Sequence, residues 1–319
     1  MERKKEAINK KESTPYDLVV ITGPTASGKT RLASLLAYEL DGEIISADSR
    51  QVYRKMDLGT GKDYEDYIVN ETTIPSHLID IQDPGYKYNV YEYQSDFFRI
   101  FEEIKNRNKF PIMCGGTGLY IQAVLERFKM VHVPPDPDLR EQLKDKNLQE
   151  LSSILASFKK LHNTTDTDTV KRAIRSIEIE SYYQNHPEIE VKLPKINPLL
   201  IGVNIDRELR RKKITKRLKE RLKQGMIKEV ENLIAAGTSP EDLIYYGLEY
   251  KFVTRYVTGK ISYEEMFESL NIAIHQFAKR QMTWFRGMER KGHKIIWVDA
   301  KKDANQNIKS ILKLLIPNH

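Results

Sequence analysis

The chain has 319 residues, of which 40% are hydrophobic, enough for one large domain with an insertion or for two modest domains. Lys and Arg outnumber Asp and Glu by 52 to 45, and the formal net charge of +7 favours a polyanionic partner. One cysteine, Cys114, excludes an internal disulfide and a cysteine-based zinc site, and no apolar run is long enough to span a bilayer.

Residues 1–16, which begin MERKKEAINKKES, are predicted to form a disordered charged leader. They lack the apolar stretch of a secretory signal, so a cytoplasmic protein with no membrane attachment is expected. LVVIT (residues 18–22) reads as a buried strand, GPTASGKT follows it, and then Leu32, Leu35, Leu36 and Leu40 recur at helical spacing. Gly23, Gly28, Lys29 and Thr30 fit the spacing of a P-loop, in which backbone amides and the helix N-terminus wrap an anionic diphosphate. Lys29 would meet the terminal phosphates as a point charge, and the Thr30 hydroxyl would be placed to ligate Mg²⁺.

GEIISADSRQVY supplies a second apolar run that ends in a polar turn at Asp48. A carboxylate there can serve through Mg²⁺, accept a substrate proton or simply form the turn, and the residues alone leave these open. FPIMCGGTGLYIQAVL gives a third strand and its helix, with Thr117 offering a hydroxyl after a glycine pair. No acid of the Walker-B type follows this strand, which argues against an ATP-hydrolysing machine. Cys114 within it is expected to be a buried small residue.

Pro134, Pro135 and Pro137 open a helix-compatible stretch in which Leu148, Leu151, Ile154 and Leu155 form an apolar stripe. Residues 128–165 are therefore expected to be a helical insertion, with 17–127 and 166–319 forming the catalytic core. DTVKRAIRSIEI then places Lys171, Arg172 and Arg175 on consecutive helical turns, with Arg172 and Arg175 able to address one anion together. PLLIGVNID and KIIWVDA supply fourth and fifth strands. The predicted fold is α/β, a P-loop NTPase-like core whose parallel sheet is flanked by helices and carries a small helical insertion. Ligands in such sheets sit beyond the strand C-terminal ends, so the loop at 23–30, the turn at Asp48 and the turn at 115–118 should converge on one crevice.

Two basic segments remain. Ile214, Leu218 and Leu222 form the apolar stripe of a helix with ten basic residues against two acids between Arg207 and Lys223, suited either to solvent or to a nucleic-acid backbone. HQFAKRQMTWFRGMERKG interleaves His275, Lys279, Arg280, Arg286 and Arg290 with Phe277, Trp284 and Phe285; such aromatics pack in a core or, mixed with arginine, stack on RNA bases.

Taken together, GPTASGKT, EIISADSRQVYRKMDLGTGK, YNVYEY, PIMCGGTGLY, KRAIRSIEI and AKRQMTWFR resemble the tRNA dimethylallyltransferase family, in order across roughly residues 18–298. The resemblance implies transfer of a dimethylallyl group from its diphosphate to the exocyclic amine of the adenosine 3′ of the anticodon, with Mg²⁺. It implies that Gly23, Thr25, Ala26, Ser27, Gly28, Lys29 and Thr30 hold the diphosphate and that Thr30 meets the metal. By the same resemblance Asp48 is the general base, Thr117 approaches the reacting amine, and Lys29 and Arg175 assist catalysis. Asp48, Ser49, Arg50, Gln51, Lys171, Arg172, Arg175 and Arg280 are then the expected tRNA contacts of a monomeric enzyme. Lys171 stands where the family usually has Gln, and YYGLEYKF where a Gly-Tyr-Lys-Glu segment is usual. The rival readings are prenylation of free adenine nucleotides, a small-molecule P-loop kinase, and a nucleic-acid-binding protein with a regulatory P-loop. The basic helix and inserted arm favour a macromolecular acceptor, and no ATP-recognition segment is identifiable.

Overall fold

The computed structural model describes residues 14–159 and 167–316. Most of the expected leader, residues 1–13, lies outside that range. Its last residues do not behave as a loose tail: Tyr16 packs on the core, and the Pro15 carbonyl accepts from Asn197 Nδ2 at 2.9 Å.

The chain divides into two compact units. The larger comprises Met1–Phe128 and Pro194–His319, the smaller Lys129–Leu193. In the larger unit, β1 (Leu18–Thr22) leads into α1 (Lys29–Leu40) and β2 (Gly42–Ser46), followed by a hairpin of β3 (Ile68–Val69) and β4 (Thr72–Thr73). Then come β5 (Ser76–His77), α2 (Val90–Asn106), β6 (Phe110–Gly115) and α3 (Gly118–Leu125). The order across the main sheet is β5-β2-β6-β1, continued by β7 (Pro198–Asn204) and β8 (Ile295–Asp299). Every pairing in this sheet is parallel, with Val19 opposite Ile112 on one side and Leu199 on the other.

Six strands stand where the sequence predicts five. The addition is β5, whose two residues, Ser and His, carry no apolar run; it is held by register with Ile44 and Ile45 and by the Ile44 N–H to Pro75 carbonyl bond of 2.9 Å. Strands β1, β2 and β6 are buried along their whole length, as expected of a parallel sheet covered on both faces. One core layer joins Leu32, Leu36 and Leu40 of α1 to Val19, Ile21, Ile112 and Ile201 of the sheet and to Ile308 and Ile311 of the C-terminal helix Ala304–Leu315. Each such side chain contributes about 1.5–3 kcal/mol by leaving water. Cys114 belongs to this layer, and burial pushes its thiol up to about 12.

The smaller unit holds α4 (Pro137–Leu143), α5 (Leu148–Phe158) and α6 (Val170–Asn185) around Leu143, Leu151, Leu155, Ala173 and Ile177. The expected boundary at 165 is therefore corrected to 193. α6 falls in this unit because its buried face, Ala173 and Ile177, packs on α5. The fold-determining charge is Glu178, 2% exposed, which accepts from Arg140 Nε at 2.6 Å, Arg140 Nη2 at 2.9 Å, Arg175 Nη1 at 2.9 Å and the Asp136 N–H at 2.9 Å.

After β7 the larger unit continues through α7 (Arg207–Gln224), α8 (Met226–Ala235), α9 (Pro240–Tyr245), α10 (Leu248–Val257) and the long α11 (Tyr263–Arg290) before β8. Ser262 and Glu265 close a capping box at the start of α11.

Candidate active site

β1 ends at a loop whose backbone only certain residues tolerate. Gly28 has φ +83°, and a Cβ at Gly23 would lie 2.9 Å from the Val203 carbonyl oxygen, so both positions need glycine, for different reasons. Ala26 adopts φ +61°, an unusual value for a residue with a Cβ. The loop thereby turns back on the first turn of α1, whose leading N–H groups have no intrahelical acceptor. Ser27 is buried, and its Oγ has no hydrogen-bond partner among the described residues. An uncompensated hydroxyl, open amide donors and a helix N-terminus together fit an anion.

This loop, the turn at Asp48 and the turn after β6 line one crevice of about 930 Å³, at the C-terminal ends of β1, β2 and β6 as expected. Lys29 is half-exposed and lines the crevice. Burial lowers its pKa below the usual lysine value, and the Cys114 and Asp48 groups partly offset that shift. Asp48 Oδ1 accepts from the Arg50 N–H at 3.0 Å, which fixes the carboxyl plane; its Oδ2 has no protein donor among the described residues. Thr117 Oγ1 accepts from the Ser49 N–H at 3.0 Å, which aims the hydroxyl proton away from that bond. The two turns press together: a Cβ at Gly115 would sit 2.2 Å from the Ala47 carbonyl oxygen, and the Thr117 N–H bonds that same oxygen at 3.1 Å.

The opposite wall comes from elements far along the chain. Gln281 of α11, 7% exposed, accepts the Thr25 N–H at 2.8 Å and donates to the Gly116 carbonyl at 3.0 Å, bracing the phosphate loop against the Thr117 turn. One turn on, Trp284 covers Gly118, where a Cβ would meet its ring at 2.2 Å. Phe277, Arg280 and Trp284 line the crevice, while Phe285 is wholly buried; the aromatic cluster of this segment thus divides between site and core. α7 contributes Arg217 and Arg221, which are not solvated charges. Asp63 Oδ2 receives Arg217 Nη2 at 2.6 Å and its Oδ1 receives Arg221 Nη2 at 3.2 Å, both close over Gly61. Burial, then Arg217, lowers the Arg221 pKa from its usual value.

The segment carrying Gly61 and Asp63 is itself tied down. Glu229 of α8 collects the N–H groups of Asp57, Leu58 and Gly59 at 2.9, 2.7 and 3.0 Å, and Lys62 is buried between the Tyr53 carbonyl at 2.6 Å and Asp57 at 2.9 Å. Ser49, Arg50 and Gln51 line the crevice too, with Arg50 5.6 Å from the Tyr245 ring centroid and Gln51 donating to the Gly61 carbonyl at 3.1 Å. Of the expected site residues, Thr25, Ala26, Ser27, Gly28, Lys29, Thr30, Asp48, Ser49, Arg50, Gln51, Thr117 and Arg280 line this crevice, and Gly23 opens the loop. All its lining residues belong to the larger unit. Lys171, Arg172 and Arg175 lie in the smaller one, where Arg172 pairs with Asp168 and Arg175 holds Glu178 and donates to the Val133 carbonyl at 2.7 Å.

Among the described residues no group of three or more His, Cys, Asp or Glu side chains could hold a metal. The Thr30 hydroxyl and the Asp66 carboxyl nevertheless line the same crevice, and burial, then the Asp63 charge, raises the Asp66 pKa, a bias that a cation would reverse. One hydroxyl and one or two carboxylates beside a phosphate cradle suit Mg²⁺, which keeps its waters and takes phosphate oxygens.

Comparison with known proteins agrees with this geometry. Residues 51–288 match the family model described as IPP transferase, and residues 16–74 match the one described as isopentenyl transferase. The chain is 60% identical over 301 residues to tRNA dimethylallyltransferase 1 of Parabacteroides distasonis, covering 94% of this chain and 98% of that one. It is 52% identical to tRNA dimethylallyltransferase 1 of Syntrophus aciditrophicus, covering 93% and 97%. Among solved structures, the tRNA isopentenylpyrophosphate transferase of Bacillus halodurans superposes with a TM-score of 0.69 at 32% identity, covering 93% of this chain and 95% of that one. The chain belongs to the IPP transferase family, and its curated relatives are tRNA dimethylallyltransferases.

Proposed function

We propose that the chain transfers a dimethylallyl group from dimethylallyl diphosphate to the exocyclic amine of the adenosine 3′ of the anticodon in tRNA, with Mg²⁺. The observation that carries this reading is the meeting of the phosphate loop with Asp48 and Thr117 in one crevice walled by arginines. The diphosphate binds at the α1 N-terminus against Lys29, with Arg217 and Arg221 on the far wall. As the adenine nitrogen forms its bond to the allylic carbon, the bond from that carbon to the diphosphate oxygen breaks and diphosphate leaves with the electron pair. Lys29 and the loop amides stabilise that charge where it develops. Asp48 accepts the proton that the amine loses, through the oxygen left open by its bond to Arg50. The Thr117 hydroxyl, held by Ser49, orients the amine.

Thr30 and Asp66 would hold Mg²⁺, which when bound neutralises diphosphate charge. Ser49, Arg50, Gln51 and Arg280 contact the RNA around the target base, and Trp284 and Phe277 offer faces on which bases stack. Lys171, Arg172 and Arg175 of the smaller unit serve as tRNA contacts on this reading. No helix among the described residues is long and apolar enough to cross a membrane, and the buried Cys114 suits a reducing cytosol.

The test offers labelled dimethylallyl diphosphate with unmodified tRNA, AMP or ATP. Label in tRNA, at the adenosine 3′ of the anticodon, is expected. Label in AMP or ATP and none in tRNA refutes the reading in favour of a nucleotide prenyltransferase.

A further inference from the structure

The α7 helix has a second basic face, separate from the one that meets Asp63. Arg211, Lys212, Lys219 and Lys223 lie on it and line a groove of about 880 Å³ whose other side is Asn271, Ile272 and His275 of α11. At 1.5 Å per residue, Lys212 to Lys223 spans about 16 Å of helix. None of the four cations joins an ion pair among the described residues, although Lys216 on the same face is 3.7 Å from Glu220. Glu208 and Glu220 also line the groove, but five cations face these two carboxylates, so the concave face keeps a positive excess.

The floor between the helices is polar and ordered. Thr215 Oγ1 donates to Asn271 Oδ1 at 2.9 Å and lies 3.3 Å from His275 Nε2, while His275 Nδ1 is buried without a partner among the described residues. Burial, then Arg211 and Arg210, lowers the His275 pKa, so the ring adds no charge of its own. An apolar partner would strand these cations away from water, whereas a regularly spaced polyanion satisfies them in sequence. The groove adjoins the active-site crevice, since Lys216 and Glu220 line both.

We propose that this groove carries the ribose–phosphate backbone of the RNA strand that flanks the nucleotide held in the crevice. The proposal rests on the tRNA-modifying reading and adds to it the path by which the strand leaves the site. Base edges are not read here: the side chains offer point charges, so contact is with phosphates and is independent of sequence. The stripe fixes where the strand lies relative to Asp48, and does so through affinity rather than through chemistry.

The test is the triple variant Lys212→Gln, Lys219→Gln, Lys223→Gln. All three residues are exposed and none lines the active-site crevice. Binding of an unmodified tRNA transcript is measured across a range of KCl concentrations, together with single-turnover transfer at saturating tRNA. Each lost phosphate contact on a single strand removes about 0.7 from the slope of log Kd against log salt, so a fall of about 2 is expected. KM for tRNA should rise at least about fivefold at fixed salt, while kcat and donor affinity stay at wild-type values. An unchanged salt slope and tRNA affinity in the triple variant overturns the groove assignment and leaves the reaction assignment standing. A fall in kcat at saturation with tRNA affinity intact overturns it as well. Failure of the wild-type protein to label tRNA strikes the reaction assignment instead, and so separates the two.

Discussion

Gln281→Met keeps the length of the side chain and removes both of its polar atoms, so it isolates the brace between the phosphate loop and the Thr117 turn. In the native protein those atoms satisfy the Thr25 N–H at 2.8 Å and the Gly116 carbonyl at 3.0 Å. A buried group left without its partner costs about 1–3 kcal/mol. The bond to Gly116 is buried and takes that full cost, whereas Thr25 is half-exposed at the crevice and water restores most of its bond. A loss of about 1–3 kcal/mol in unfolding free energy is therefore expected. The effect on rate should be larger than this stability loss suggests, because the two braced segments hold opposite partners of the reaction. A misplacement of about 1 Å between them can cost about 10²-fold. Gln281→Glu sharpens the test: it keeps an acceptor for Thr25 but sets an oxygen against the Gly116 carbonyl and adds a negative charge near the diphosphate. Single-turnover transfer to tRNA and donor affinity are measured on both variants, with denaturant unfolding as the control. Both variants should fold, with transfer slower in Glu than in Met. Rates within about twofold of wild type in both would refute the brace, whatever happened to stability.

Three further outcomes are expected. Asp48→Asn keeps the acceptor for the Arg50 N–H but cannot take a proton, so transfer should slow by about 10²-fold to 10⁴-fold with donor affinity nearly intact; near-normal transfer at limiting Mg²⁺ would remove Asp48 as the base. Lys29→Ala should fold normally and lose about 3 kcal/mol of transition-state stabilisation, read as kcat/KM; turnover at the wild-type rate would take the leaving diphosphate out of this loop. Glu178 concerns stability alone. Burial by itself would raise its carboxyl, but bonds from Arg140, the Asp136 N–H and Arg175 hold its pKa below the ordinary 4.5. Its contribution is therefore complete above 4.5 and is lost as pH falls through the lower folded value. Glu178→Gln should cost about 1–3 kcal/mol at neutral pH, since both arginines also reach solvent, and should flatten the acid limb of a thermal-unfolding titration. An unchanged acid limb would show that Glu178 does not set it.

What could be read from the sequence was what lies close together in it. The phosphate loop, its helix and the two turns that face it are each encoded within a dozen residues, and glycine marks the backbone conformations they require. The bonds of Gln281 reach Gly116 and Thr25, 165 and 256 residues away, and no local pattern announces them. Arg217 and Arg221 stood out as charge, but the carboxylate that receives them, Asp63, is more than 150 residues upstream. Strand β5 escaped because register with β2, not hydrophobicity, makes Ser76 and His77 a strand. The buried Glu178 explains why α6 belongs with the smaller unit: three of its four donors come from Asp136 and Arg140, which precede α5.

The interruption of the sheet by the smaller unit has a consequence for how the protein is made. β1 lies between β6 and β7, and its register pairs Leu18 with Pro198, so one flank of the central strand stays open long after the other is closed. From Gly115 to Pro198 the ribosome adds 83 residues. At about 5–20 residues per second this takes roughly 4–17 s. Throughout that interval a strand that is apolar in four of its five residues offers unpaired amides and carbonyls to any neighbouring chain, and the nascent protein is most vulnerable to wrong pairing then. Translation speed across residues 129–193, rather than any contact in the finished molecule, would then govern the yield of correctly assembled sheet.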